Sequence, residues 1–193
     1  MKSVIGTTLA LSLFACCDAY ADVITFDNLP ELTIVTNEFP GVSFTGAQVL
    51  TAGSNLNPLF PPVSNPNVVG DLNGTITATF TTPVTSVGAF VTGATSITET
   101  VFSGATMLGS VSTGGANFIG AGTGLPPNIF LSISDFGITS AVFTGTPNSF
   151  TLDNFTFTPV PGPIVGAGLP GIILACGVLL ALARSRRRRQ LVA

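Results

Sequence analysis

The chain has 193 residues with six Lys or Arg, nine Asp or Glu and no His, a formal charge of −3, and only 8% of it is charged while 46% is hydrophobic; ordinary soluble domains are about a quarter charged. All six basic residues lie at the ends (Lys2, Arg184, Arg186, Arg187, Arg188 and Arg189), so residues 22–158 hold eight acids and no base, which makes that stretch −8. Nucleic-acid binding is thereby excluded, since it draws on Lys and Arg against phosphate, and so is recognition of anions through a cationic fork.

The N-terminus reads as an export signal. Lys2 precedes an apolar run, Val4 to Ala15, and Ala19-Tyr20-Ala21 then gives a small-x-small pattern that predicts cleavage before Asp22. The secretion machinery and signal peptidase are the partners this implies. Two alternatives stand beside it: a buried first helix, and lipoprotein processing at Cys16, for which the bulky Phe14 is a poor upstream residue. All three cysteines (Cys16, Cys17 and Cys176) lie outside 22–158. The middle of the chain therefore has no internal disulfide, no thiolate nucleophile and no cysteine zinc site.

Residues 22–158, about 137 of them, are enough for one domain with a real core. Strands are predicted at 23–26, 42–49, 75–80, 84–91, 97–102, 106–111, 129–134, 138–143 and 150–157, rich in Val, Ile, Thr and Phe and punctuated by Gly, Pro and Asn. No window shows a helical period. The expected fold is all-β, an antiparallel β-sandwich or jelly roll with a phenylalanine-filled core. The segment 51–74, with Pro58, Pro61, Pro62, Pro66 and several asparagines, reads as a long ordered loop, the kind that often carries function. Leu56, Leu59 and Phe60 would pack it down. The glycine-rich 114–127 is a second loop. In the last strand the apolar phase changes at Asp153-Asn154, which predicts a β-bulge. Pairing of the chain ends would bring Asp153 towards Asp27.

At the C-terminus, 163–183 runs 21 residues without a charge, about 31 Å as a helix and close to the hydrocarbon core of a bilayer. The arginines that follow predict a cytoplasmic end and an external domain. Gly166-Ala167-Gly168-Leu169-Pro170-Gly171 matches a dinucleotide fingerprint by letter only, because it lacks the strand before and the helix after that the fingerprint requires. Val160-Pro161-Gly162-Pro163, the apolar run and Arg186 to Arg189, in that order, resemble a PEP-CTERM sorting signal, with Gly162 where the family has glutamate. The resemblance covers 160–190. It implies processing near Pro161–Pro163 by an exosortase-like membrane transpeptidase, and delivery to the cell surface or an exopolysaccharide matrix. A permanent membrane anchor is the competing reading. The domain itself, from Ile24-Thr25-Phe26-Asp27 through Pro40-Gly41-Val42-Ser43-Phe44 to Leu152-Asp153-Asn154-Phe155, loosely resembles the sandwich domains found ahead of such signals. Those are similar to carbohydrate-binding jelly rolls, and the resemblance assigns no catalytic residue.

Chemistry in 22–158 is restricted to carboxylates and hydroxyls. A Ser-His-Asp triad is excluded by the absence of His, and Tyr20 leaves with the signal. Two carboxylates suffice for glycoside hydrolysis, but these acids are dispersed, so no catalytic residue is expected. Oxygen-only ligands suit calcium. Asp27 and Asp153 are the candidates, with Glu31 as a third; the alternative is that each aspartate caps a turn or bulge through its own backbone. Two function classes follow: a non-enzymatic component of the surface or matrix, and a specific glycan- or calcium-binding module.

Overall fold

Alternating apolar and hydroxyl residues give the chain strands that each bury one face. The computed structural model of the chain describes residues 21–160, together with 177–179 and 184. It shows an all-β antiparallel fold of ten strands: β1 (Asp22–Ile24), β2 (Ile34–Val35), β3 (Val42–Thr45), β4 (Ala47–Thr51), β5 (Asn67–Asp71), β6 (Thr75–Gly93), β7 (Thr98–Ser103), β8 (Thr106–Ser112), β9 (Ile129–Thr144) and β10 (Phe150–Pro159). All belong to one sheet, ordered β2-β4-β5-β10-β6-β9-β7-β8, with β1 on β10 and β3 on β6.

The sheet folds over on its two longest strands. The first half of β6 lies between β3 and the second half of β9; its second half lies between β10 and the first half of β9. The corner falls at register shifts between Thr79 and Ser86, next to Pro83, where a proline tolerates the break in the ladder. One layer is thus β3, β6, β9, β7 and β8, and the other is β9, β6, β10, β5, β4 and β2. Phe155 of β10 meets Phe44 of β3 at 5.1 Å, Phe80 of β6 at 6.4 Å and Phe143 of β9 at 6.2 Å between ring centroids. These contacts place the first layer's inner face on the second's. Ala19–Val160 forms one compact unit.

Two strand breaks have identifiable causes. The expected strand 42–49 divides into β3 and β4 at Gly46, which has φ +76°, and a Cβ there would overlap the carbonyl oxygen of Thr75. The expected bulge in β10 is present: the register against β6 shifts between Asp153 and Thr156, and Asn154 has φ +45°, a conformation asparagine tolerates. The extra residue returns Phe155 and Phe157 to the core beside Phe150 and Leu152. The predicted pairs 75–80 with 84–91, and 129–134 with 138–143, are single bent strands. The reading of 51–74 as loop requires correction at its end, where β5 is a central strand buried at all five positions.

The outer face of the first layer carries no charge. Across the strands, Ser112, Thr98, Thr144 and Thr75 align in one row, and Ser110, Thr100, Val142, Thr77 and Thr45 in the next. On its inner face, between Ile97 and Val101, Glu99 is fully buried and neither carboxyl oxygen has a hydrogen-bond partner. Burial pushes its carboxyl up to about 8, because a low-dielectric surround penalises the charged form.

Among the described residues no helix is long and apolar enough to cross a membrane. The expected membrane helix 163–183 lies outside the described residues apart from Gly177–Leu179, and so do Ala19, Pro161, Gly162, Pro163 and Arg186 to Arg189. Ala21 and Asp22 are exposed at the start of β1, Val160 follows β10, and Arg184 is exposed.

Candidate functional site

With no cation in the domain, its carboxylates find their donors elsewhere, chiefly in backbone N–H groups. Asp153 Oδ2 accepts from the N–H of Val63 (2.6 Å) and Ser64 (2.9 Å), and Oδ1 accepts from Ser64 Oγ (3.0 Å) and the N–H of Asn154 (2.7 Å). Burial raises its pKa, while the bonds from Ser64, Asn154 and Val63 oppose that shift. Asp27 Oδ1 accepts from the N–H of Asn67 (2.9 Å). Both predicted aspartates therefore hold one segment, 63–67. A carboxylate offers about four acceptor sites, and at Asp153 four donors fill them. Glu31, the third candidate, accepts from the N–H of Asn55 and from Ser54 Oγ, each at 3.0 Å. Among the described residues no three His, Cys, Asp or Glu side chains group to hold a metal ion. Only the Asn154 N–H bond to Asp153 is a local cap; the other donors to Asp153 and Asp27 lie in 63–67, far away in sequence.

Asp71 does the same on the other side of β5. Its Oδ2 accepts from the N–H of Gly74 and Asn148 (2.6 Å each), and its Oδ1 from the N–H of Ser149 (2.8 Å) and Phe150 (2.9 Å). One buried side chain thus joins the β5–β6 turn to the β9–β10 turn.

These clamps frame a cleft of about 250 Å³. Its floor is the outer face of the second layer, where Gln48, Gly70 and Thr151 stand in one row across β4, β5 and β10. A Cβ on Gly70 would come within 2.6 Å of Leu50 Cδ1, so glycine lets Leu50 lie across the floor. Asn55, Leu56, Asn57 and Phe60 form one wall, and the turn 148–150 forms the other. Leu56 is buried, and Phe60 stacks on Phe118 at 6.0 Å with rings 8° from parallel. The expected packing of the loop is therefore met at these two residues, whereas Leu59 is 41% exposed. Ile119 N–H to the Leu59 carbonyl (2.9 Å) ties the glycine-rich loop to this wall.

The lining mixes apolar side chains with polar ones, and its free polar groups are uncharged. Among the described residues, the amides of Asn55 and Asn148 and the hydroxyl of Thr151 make no side-chain hydrogen bond. Gln48 Nε2 donates to the Leu32 carbonyl (3.2 Å), which leaves its Oε1 open. Neutral donors and acceptors beside a phenyl ring suit a neutral, polyhydroxylated ligand. Sequence reasoning read 51–74 as a long ordered loop of a kind that often carries function, but gave no sign of Gln48 or Thr151, which reach the cleft through strand register, or of Asn148, which reaches it through the β9–β10 turn.

No protein-family model matches the sequence, and comparison with curated proteins finds no match. Among solved structures, TmCBM61, in complex with β-1,4-galactotriose, is similar over 71% of this chain and 99% of that one, at 12% identity and a TM-score of 0.40. CsCBM6-3 from Clostridium stercorarium, in complex with cellobiose, is similar over 66% and 92%, at 17% identity and a TM-score of 0.36. A variant of CBM29-2, a family 29 carbohydrate-binding module complexed with mannohexaose, is similar over 73% and 92%, at 9% identity and a TM-score of 0.38. Likeness at this level assigns no residue and no ligand to this chain.

Proposed function

We propose that this is an exported, non-catalytic protein whose domain binds neutral glycan, the exopolysaccharide of its own surface or matrix, in the cleft over β4, β5 and β10. The observation that carries the reading is the cleft itself: unpaired amides on its two walls and a hydroxyl on its sheet floor, with Glu31 and the buried Asp71 bonded to the backbone of the walls. Rigid presentation lowers the ordering cost of binding. A domain without His, Cys, Lys or Arg leaves catalysis to carboxylates and hydroxyls, and the carboxylates of Asp27, Asp71 and Asp153 are engaged with donors.

The test is retention of the domain in gels containing neutral polysaccharides, with microcalorimetry on short fragments of any polymer that retards it. Asn55→Ala with Asn148→Ala should weaken binding about tenfold or more. Equal retention of the variant and the parent would refute the cleft.

Export and sorting rest on the ends of the chain. Cleavage before Asp22, release near Pro161–Pro163 and delivery to the surface should follow from the signal, the apolar run and the basic tail. Intact mass and location of the mature protein, with and without Arg186 to Arg189 replaced by Ala, test this. A form that keeps 163–183 in the membrane in both strains would instead identify a permanent anchor.

A further inference from the structure

Beyond the cleft, the same outer sheet face carries an aromatic side chain that packing does not account for. Phe130 sits inside β9, yet 46% of it is exposed. Its register partner on β6 is Phe90, with ring centroids 4.9 Å apart and planes 49° from parallel. Beside that pair, in the interior of β6, is Gly88, flanked by Thr156 of β10 and Ser132 of β9. Glycine in a strand interior is unfavourable and marks close approach of another group. A Cβ on Gly88 would lie 2.8 Å from Phe130 Cζ and 2.7 Å from the Leu131 carbonyl oxygen. The missing side chain is what lets the Phe130 ring lean over the sheet while its other face stays open to solvent.

Hydroxyls continue from the ring. Ser132 and Ser134 are exposed on β9, Ser86 Oγ donates to Thr158 Oγ1 (2.8 Å), and Thr156 Oγ1 donates to the Gly88 carbonyl (3.2 Å). The one acid in the Phe130–Phe90–Asp153 row is Asp153, buried beneath Val63 and Ser64. That row is two residues along the strands, or about 7 Å, from Thr92–Thr151–Gly70–Gln48, of which Thr151, Gly70 and Gln48 floor the cleft and Thr92 is buried against Asn128. Across the strands, β9 is three places from β5, about 14 Å. A single sugar cannot bridge that distance, and because 61–64 covers Asp153 and Asn128 covers Thr92, a chain that joins the two passes over that loop rather than along the sheet.

We propose that Phe130, laid over Gly88, is a platform for a sugar ring of a neutral glycan chain whose neighbouring units occupy the cleft. The inference rests on the glycan reading of the cleft and adds that the ligand is the interior of an extended, uncharged chain rather than a chain end. An exposed phenyl face offers apolar contact to a pyranose face, and the flanking hydroxyls match its rim.

The experiment uses the mature protein with Phe130→Ala, Phe130→Tyr and the Asn55→Ala, Asn148→Ala pair. The probes are gels of neutral galactan, mannan and β-glucan, and calorimetry with a trisaccharide of the polymer that binds. The expected result is about a tenfold loss of polymer affinity in Phe130→Ala, near-complete recovery in Phe130→Tyr and unchanged trisaccharide affinity in both. Polymer binding by Phe130→Ala equal to the parent would overturn the platform and leave the cleft standing. Loss in Phe130→Ala with none in the asparagine pair would overturn the cleft and keep the platform. No retention in any gel would overturn both.

Discussion

Replacing Glu99 with Gln should flatten the pH dependence of stability. In the folded chain the Glu99 carboxyl titrates near 8, against 4.5 in the open chain. As the pH rises past 4.5 the unfolded chain releases this proton and the folded chain keeps it. Stability is therefore fully present below pH 4.5, falls as the pH rises and levels off beyond about 8. At about 1.4 kcal/mol per pH unit the whole fall is about 5 kcal/mol, of which about 3 kcal/mol is already gone at pH 7. Glutamine cannot titrate. It brings a constant cost of about 1–3 kcal/mol for an unpartnered buried amide, so the signature is a slope, not an offset. Urea unfolding of the 22–160 domain, followed by circular dichroism between pH 4.5 and 8.5, measures the difference between the two proteins at each pH. That difference should change by several kcal/mol in favour of the Gln variant as the pH rises. A constant difference across the range would show that the carboxyl is hydrated or partnered, and the reasoning from its burial would be wrong. Glu99→Leu should go further and stabilise the domain outright at pH 8.

Other substitutions test the frame of the cleft. Asp71→Ala strands four N–H groups and should cost about 3 kcal/mol or more in urea unfolding, with loss of any glycan retention; a cost under about 1 kcal/mol would deny its clamping role. Asp153→Ala should free 63–64 while leaving the sheet ladder intact, so limited proteolysis should cut near 60–66 in the variant and spare the parent. Gly46→Ala combines φ +76° with overlap on the Thr75 carbonyl and should lower stability by about 2 kcal/mol or more; a thermal midpoint unchanged from the parent would contradict the geometry.

What the sequence revealed followed the strength of its local signal. Ile76, Ala78 and Phe80, or Leu131 and Ile133, alternate cleanly, and those strands are where periodicity puts them. The phase change around Asp153-Asn154 was enough to locate the bulge. β5 was hidden because it is buried on both faces, so Val68-Val69-Gly70 shows no alternation, and its ends, Asn67 and Asp71, are residue types that ordinarily mark turns. Asp71 escaped notice for the same reason: its four donors are 3 to 79 positions away in sequence, and no motif encodes them. Gln48 and Thr151 meet only because β4 and β10 flank β5, a fact of topology. Glu99 sits in an otherwise ordinary alternating strand, on the phase that turned out to be the inner one.

The clamps around the cleft have a consequence for how this surface can change. Their donors are mostly main-chain groups: the N–H of residues 55, 63, 64, 67, 74 and 148–150. A main-chain donor is common to every amino acid except proline. Where the donor is main-chain, residue identity is uncoupled from that part of the loop's shape, which four acids, two of them buried, help maintain. The side chain at 55 can be exchanged without dismantling the scaffold that presents it, whereas Asn57 Oδ1 caps the Leu59 N–H, Phe60 stacks on Phe118 and Asn148 has φ +53°. A lineage could thus retune what the cleft recognises, as its own coat polymer drifts, by ordinary point substitutions at the rim.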